Sequence, residues 1–419
     1  MHEVVTARPM PLWAGRTLAL LGIALVALNL RTAVTVISPI VAEISGDVPL
    51  GTVGLSLIGM LPPIAFAVSA IFGAALARRL GLERFLILAI IAMVAGHLTR
   101  ALAGDYSMLF AGSVLVLLGM GVGNVLLPPL VKRYFPDRVG LVTAVYVTVL
   151  TIGASTPAAV SAPVAVTLGW RASLGMWAIV AFVSLLPWLG VLLARRRERS
   201  LGVETLVDRA QPAALAGRIW RSRTAWVVAI VFAVTSLNAY SMFAWLPEIL
   251  IQTAGESPVA AGAMLGFYSA LGIPFALAAP ALAARMKNIG TLIEIGAVLL
   301  VFGNVGLLVA PAAAPWFWVT LIGCGQIIFP VCLVLINVRS RTQLGSVALS
   351  GFAQAVSYTL AAAGPLLIGL MHEWSGGWEG AYVLLIGSAV VAAIGGYLLR
   401  KPRFVEDDLQ QRAQRLAQA

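Results

Sequence analysis

Charged side chains are scarce: they make up 11% of the 419 residues against 60% apolar ones, and the mean hydropathy is +0.96. A soluble domain carries about a quarter charged residues, so this chain lacks the charge to cover a water-exposed surface. That excludes an ordinary soluble enzyme, a disordered chain and a coiled coil, and leaves a protein whose solvent is mostly lipid. Cysteine is scarcer still. Cys324 and Cys332 lie in apolar stretch, eight apart on one expected helix; they make neither a disulfide framework nor a four-cysteine metal site, and read as packing residues. Three histidines, His2, His97 and His372, are too scattered for a zinc motif. No GxxxxGKS, GxSxG or paired-carboxylate pattern occurs. The expectation is therefore no enzyme activity, no cofactor and no metal.

What is there in abundance is the long apolar run. Runs able to cross a bilayer fall at roughly 17–43, 52–77, 84–103, 107–131, 139–166 and 172–194, then at roughly 224–250, 259–284, 289–310, 315–338, 345–371 and 379–399. The first run follows Arg8 and Arg16, as a signal peptide would, but it is long, carries Arg31 and lacks a convincing cleavage region; it reads as an uncleaved helix. Of the 28 Lys and Arg, all but Arg31, Arg100 and Arg171 fall in alternate loops and tails on one side. The positive-inside rule makes that side cytoplasmic, with both termini inside. The net charge of +11 is thereby topological. Spread over short loops, it gives no basis for nucleic-acid binding.

The chain repeats itself at about half its length. LVTAVYVTVLTIGASTP (141–157) aligns without gaps on LSGFAQAVSYTLAAAGP (349–365), and the same shift of 208 carries Gly169-Trp170 onto Gly377-Trp378. GNVLLP (123–128) matches GQIIFP (325–330), and Leu28-Asn29 recurs as Leu237-Asn238. An even number of spans per half makes the repeat parallel, about an axis along the membrane normal. That is the plan of the major facilitator superfamily. The expected fold is an all-α membrane protein of twelve transmembrane helices in two pseudo-symmetric six-helix bundles. Its expected parts are a cytoplasmic N-terminus (1–16), an N-terminal bundle (17–194), a cytoplasmic linker (195–223), a C-terminal bundle (224–399) and a cytoplasmic tail (400–419). Prolines such as Pro62-Pro63, Pro128-Pro129, Pro274, Pro330 and Pro365 read either as bending points or as fixed kinks.

Arg31 is the most informative residue. It stands near the middle of the first span, where an arginine costs on the order of 3 kcal/mol to insert and stays charged. No Asp or Glu occupies a span centre; Glu294, Glu248, Glu43 and Asp47 lie toward the ends. The expectation is that the substrate supplies the negative charge; the alternative is an arginine satisfied by carbonyls, Asn29 and water. Other mid-span polar residues are candidate cavity lining: Asn29, Asn124, Asn238, Gln326, Gln354, Tyr146 and Tyr358. Asn29 pairs with Asn238 in the repeat, Asn124 with Gln326 and Tyr146 with Gln354, and equivalent positions are expected to face a shared central cavity. Buried amides can instead tie helices together. Trp245, Phe267 and Tyr268 are candidate walls, and His97 is expected to be structural. The acids available provide no obvious proton relay.

GAALARRLGLER (73–84) resembles the superfamily's cytoplasmic loop motif, with Gly73, Arg78, Arg79, Gly81 and Arg84 as candidate gate residues and Ala77 where the motif has an acid. LNLRTAVTVISP, GNVLLPPLVKRYFP (123–136), WLPEIL (245–250) and the segment 349–378 are similar to the cyanate/nitroimidazole transporter family, a bacterial branch of the same superfamily. The resemblance covers nearly the whole membrane domain. It implies a monomeric carrier in the bacterial inner membrane, surrounded by lipid and moving a small, anionic or polar solute by alternating access, with Arg31 of the LN-x-R pattern binding the anion. A cyanate-like anion is the leading expectation and 2-nitroimidazole-type or multidrug efflux the alternative; a non-transporting receptor or scaffold is a remote one.

Overall fold

The computed structural model describes residues 16–200, 219–286, 288–341 and 343–410. The expected N-terminus 1–15, most of the linker and the tail end 411–419 lie outside the described residues. In hydrocarbon every backbone donor and acceptor must be paired within the protein, which leaves helices as the way across. Among the described residues twelve helical segments are long and apolar enough: Thr17–Thr35, Gly51–Gly73, Leu82–Ala101, Tyr106–Tyr134, Leu141–Leu168, Trp170–Leu193, Arg223–Ala254, Pro258–Ala279, Gly290–Val309, Pro315–Ile336, Ala348–Ser375 and Glu379–Leu398. They are the first to twelfth spans below, and each matches an expected run to within several residues. No strand occurs among the described residues.

Packing follows the repeat. The first span lies against the fifth and sixth, the third against the fourth and sixth, and the second against the fourth. In the second half the seventh lies against the eleventh and twelfth, and the ninth against the tenth and twelfth. Small residues set the closest approaches, as expected where lipid offers no hydrophobic driving force between helices. A Cβ on Gly119 would lie 2.6 Å from the Ala89 carbonyl, and one on Gly325, 206 residues on, would lie 3.0 Å from the Gly296 carbonyl. The third and ninth spans thus correspond at a shift of 207.

The Gly-Trp repeat has a shared physical role. Trp170 Nε1 donates to Asp47 Oδ2 at 3.0 Å, and Trp378 Nε1 donates to Gln252 Oε1 at 2.9 Å. Each indole pins the start of the last span of its half to the far end of the first. Arg171 adds a contact to Asp47 in the first half. The opposite end of the molecule, which carries the basic loops, is laced by ion pairs. Arg16 meets Asp137 at 2.6 Å, Arg133 meets Glu83 at 3.4 Å, and Arg400 pairs with Glu294. Arg16 holds the exposed Asp137 carboxyl below its usual range by hydrogen bonding and charge. Asp408 Oδ2 accepts from Ser222 Oγ (2.7 Å) and Thr224 N (2.8 Å), capping the seventh span.

Candidate functional site

The site begins where the first span stops being a helix. Thr17–Asn29 ends, Leu30 and Arg31 intervene, and the helix resumes at Thr32–Thr35, with Arg31 at φ −131° and ψ −3°. Freed backbone groups must find local partners: Leu30 N donates to Ala27 O at 3.2 Å, and Thr32 Oγ1 to Asn29 O at 3.0 Å. The eighth span is interrupted at Leu271, between Pro258–Ala270 and Gly272–Arg285. The tenth is interrupted at Gln326 and Ile327, between Pro315–Gly325 and Ile328–Val338. Gln326 Nε2 donates to the Tyr268 carbonyl at 3.1 Å, joining the two broken spans. Broken helices at mid-depth are tolerated where they face protein or a cavity.

All three breaks meet at a cavity of about 120 Å³. The first half contributes Arg31 and one face of the fifth span, Val147, Leu150, Thr151 and Ala154. The second half contributes the rest: Thr235, Ser236, Ala239, Tyr240 and Phe243 from the seventh span, Ser269, Gly272 and Ala276 from the eighth, Gln326, Phe329 and Pro330 from the tenth, and Tyr358 from the eleventh. The spacing 147, 150, 151 and 154 is that of one helical face. Tyr240, Gln326 and Tyr358 lie near the midpoints of their spans, and Arg31 near the middle of the interrupted helical run from Thr17 to Ser45.

Arg31 is 9% exposed. Its guanidinium sits 4.7 Å from the centroid of the Phe66 ring, and Nη1 reaches the Leu30 carbonyl at 3.4 Å. A guanidinium has five N–H donors, so most of its capacity is directed elsewhere; among the described residues no carboxylate pairs with it. Around it stands an aromatic cluster drawn from both halves. Phe66 meets Tyr358 at 6.0 Å and Tyr240 at 6.3 Å between centroids, and Tyr240 meets Tyr358 at 6.4 Å, all edge-on. Such edge contacts pack rings without a stacked partner and leave π faces for a cation or a flat solute. The cavity is thus apolar and aromatic with one fixed positive charge.

The halves approach most closely at the end away from the basic loops. Ser38 Oγ donates to the Ala244 carbonyl across them at 2.8 Å. A Cβ on Gly59 would lie 2.9 Å from Ala244 Cβ, and one on Gly262 would lie 2.8 Å from the Ala158 carbonyl. The second span packs on the eleventh and the fifth on the eighth. These contacts close the cavity at that end.

Residues 19–348 match the model of the major facilitator superfamily. The chain belongs to that superfamily. Its relatives place it in the branch that holds cyanate and nitroimidazole carriers. It is 32% identical over 395 residues to the uncharacterized transporter YycB of Bacillus subtilis strain 168, covering 93% of this chain and 95% of that one. It is 32% identical over 381 residues to the 2-nitroimidazole transporter of Escherichia coli strain K12 (90% and 93% covered), and 25% identical over 361 residues to that organism's cyanate transport protein CynX (86% and 91%). Among solved structures it superposes on an inward-facing, occupied bacterial homologue of the lysosomal transporter spinster with a TM-score of 0.72, covering 95% of this chain and 99% of that one, and on a D-xylose–proton symporter with a TM-score of 0.70 (93% and 98%). Both are 16% identical, and speak for the fold alone. The protein is a multi-pass membrane transporter of small solutes.

Within this superfamily fold, three of the eight expected substrate residues, Arg31, Gln326 and Tyr358, line the cavity. Asn29 and Asn238 do not. Asn29 Nδ2 donates to Leu25 O (2.8 Å) and Val180 O (3.3 Å), tying the first span to the sixth. Asn238 Nδ2 donates to Val234 O and Ser388 Oγ, both at 2.9 Å, tying the seventh to the twelfth. The two asparagines are equivalent, but their shared role is inside each bundle. Asn124, Tyr146 and Gln354 are half-buried outside the lining; Asn124 Nδ2 bonds Met120 O (3.1 Å) and Gln354 Nε2 bonds Ser350 Oγ (2.8 Å). Trp245 is buried with Nε1 on the Pro365 carbonyl at 2.9 Å, Tyr268 is buried, and Phe267 faces Trp316 at 5.6 Å; none of the three lines the cavity.

Of the loop motif, Gly73 packs against Val125 and Gly81 turns between the second and third spans at φ +84°. Arg79 and Arg84 are exposed; the Arg78 side chain lies outside the described residues. Sequence reasoning passed over Phe66, Tyr240, Phe243 and Phe329. For Tyr240 a signal was available: the shift of 209 that pairs Asn29 with Asn238 pairs Arg31 with Tyr240.

Proposed function

We propose that this carrier moves a small planar solute with an anionic or strongly polarised oxygen end, which binds Arg31 between the halves. The observation that carries the reading is a mid-span guanidinium facing a cavity with no carboxylate partner among the described residues. A desolvated charge of this kind gains most from a ligand that brings the opposite charge or a strong dipole. Binding at mid-depth between two pseudo-symmetric halves fits alternating access by rocking of one half on the other. The contacts at the end away from the basic loops close the cavity on the outer side, because the positive-inside rule puts the basic loops and both termini in the cytoplasm of a bacterial inner membrane.

Two solutes fit the chemistry. Cyanate is a compact linear anion suited to the guanidinium alone. A 2-nitroimidazole presents a nitro group to Arg31 and a flat ring to Tyr240, Phe243, Phe329 and Tyr358. The walls are mostly aromatic and the volume exceeds what three atoms need, so the geometry favours the flat heteroaromatic as the better filler. The relatives' names supply the same two candidates. The gate role of Arg79 and Arg84 and the monomeric state are part of the same proposal.

The test is a thermal-stabilisation screen of the purified protein with cyanate, nitrate and 2-nitroimidazole, followed by flux in proteoliposomes. Binding raises the melting temperature by mass action. Stabilisation that is lost in Arg31→Ala and reduced in Arg31→Lys is the expected result. Flux and stabilisation unchanged in both variants would remove Arg31 from the mechanism.

A further inference from the structure

A second arginine is buried in the membrane domain. Arg100, on the third span, is fully buried; Nη1 reaches the Ala33 carbonyl at 3.4 Å, while Nε and Nη2 have no hydrogen-bond partner among the described residues. One turn earlier, His97 is also fully buried, with Nε2 3.5 Å from Thr32 Oγ1. The Thr32 hydroxyl hydrogen is directed to the Asn29 carbonyl, so His97 Nε2–H is the donor and Thr32 the acceptor. The fourth span backs the pair: a Cβ on Gly112 would lie 3.0 Å from Arg100 Cγ, and one on Gly96 would meet Val116 N. Arg100 lies at the outer end of the third span, but a fully buried charge is costly there too, and its one bond among the described residues goes to a backbone group two residues past Arg31.

We infer that Arg100 and His97 are positioning residues: from behind, they hold the unwound elbow that carries Arg31 and aim its guanidinium into the cavity. The physical need is specific. A broken helix frees carbonyls that water cannot reach, and donors from a neighbouring span restore them. Thr32 and Ala33 directly follow Arg31, and these are the residues the third span grips.

The second half is a built-in control. At the shift of 207 that relates the third and ninth spans, His97 corresponds to Asn304 and Arg100 to Leu307. Asn304 Nδ2 bonds its own helix at the Leu300 carbonyl (2.8 Å), and Leu307 is 1% exposed among apolar neighbours. The seventh span in front of them is one continuous helix, Arg223–Ala254. The His–Arg pair stands behind the broken first span, and Asn304 with Leu307 stands behind the unbroken seventh.

The elbow itself can be tested without any ligand. Amide hydrogen exchange is followed over residues 26–37 of the purified full chain in wild type, Arg100→Met, Arg100→Lys and His97→Leu. Release of the elbow raises exchange there by about tenfold or more in Arg100→Met, less in Arg100→Lys. Unchanged rates in Arg100→Met and His97→Leu overturn the inference. If Arg100→Met does not reach the membrane, His97→Leu and Thr32→Val carry the same measurement. The consequence for binding rests on the reading of Arg31 given above, and is tested by a double-mutant cycle with 2-nitroimidazole and cyanate as probes. Arg100→Met is expected to weaken binding, Arg100→Lys to recover part of it, and the Arg31→Ala, Arg100→Met double variant to bind no worse than Arg31→Ala alone. Additive losses overturn the positioning role. A wild type that binds neither probe counts against the proposed function, while the exchange measurement still decides the elbow.

Discussion

Midway along its first, interrupted helical run (Thr17 to Ser45) the N-terminal half has Arg31 at a break; 209 residues later the C-terminal half has Tyr240 on an unbroken helix. The two side chains face the same cavity, with Phe66 in contact with both. The first half supplies the charge and the second half most of the wall. By contrast, the groups that the halves hold in common are scaffold. Asn29 and Asn238 each tie the first span of their half to its last, and Trp170 and Trp378 each latch the last span to the far end of the first. In this duplicated chain the repeated asparagines and indoles hold each bundle together, while the charge at the site comes from a position where the halves differ.

The sharpest way to break that contrast is at its centre. Arg31→Ala should weaken solute binding about 10- to 100-fold, the size of a lost charge-assisted hydrogen bond, while Tyr240→Phe should cost a few-fold at most. Isothermal titration with the probe that stabilises wild type measures both, and equal losses would erase the asymmetry. Next comes the packing beside the elbow. Gly153 lies against the Leu28 backbone, whereas its equivalent 208 residues on is the fully buried Ala361. Gly153→Ala should therefore destabilise by about 1–3 kcal/mol through overpacking, although the other half accommodates that very methyl group. Thermal unfolding in detergent reads the difference.

A smaller and symmetric effect is expected from the paired asparagines. Asn29→Leu and Asn238→Leu should each cost roughly 1 kcal/mol, typical of interhelical hydrogen bonds in membranes, and leave solute affinity unchanged. A loss of affinity in either would return that residue to the site. The smallest effect is a pH difference between the two indole latches. Arg171, then Trp170, hold the exposed Asp47 carboxyl below its usual value. A depressed folded value contributes stability above the unfolded range, near about pH 4, and loses it as pH falls through the folded value. Melting profiles should show that loss in wild type and not in Asp47→Asn, and added salt should shrink it because the pair is half exposed. Neither Gln252 nor Trp378 titrates, so Gln252→Ala should leave the wild-type acid loss in place, whereas Asp47→Asn should remove it.

Much of this was legible before any fold was described. The spans follow from apolar run length, because lipid demands about 20 residues of self-satisfied helix. The repeat follows from matched small and polar residues, and Arg31 stands out because charge at that depth is expensive. The cavity walls were harder to read. Inside an apolar helix an aromatic ring facing a cavity and one facing lipid look alike, which is why Trp245, Phe267 and Tyr268 were plausible while Phe66, Tyr240 and Phe329 went unremarked. The interruptions at Leu271 and Gln326 were partly legible, because Pro274 and Pro330 follow within four residues and a proline disrupts the helix at the carbonyl four residues before it.

The sequence by itself determined the solvent, the twelve crossings, the duplicated plan and the single charge at its centre, because each is set by local transfer energies along the chain. Only the tertiary structure decided which polar side chains reach the cavity and which lock a bundle. It also decided which end of the cavity is closed, and that Arg100 and His97 stand behind Arg31. Those outcomes depend on how helices distant in sequence rotate and pack against one another, and hydropathy along the chain carries no record of that rotation.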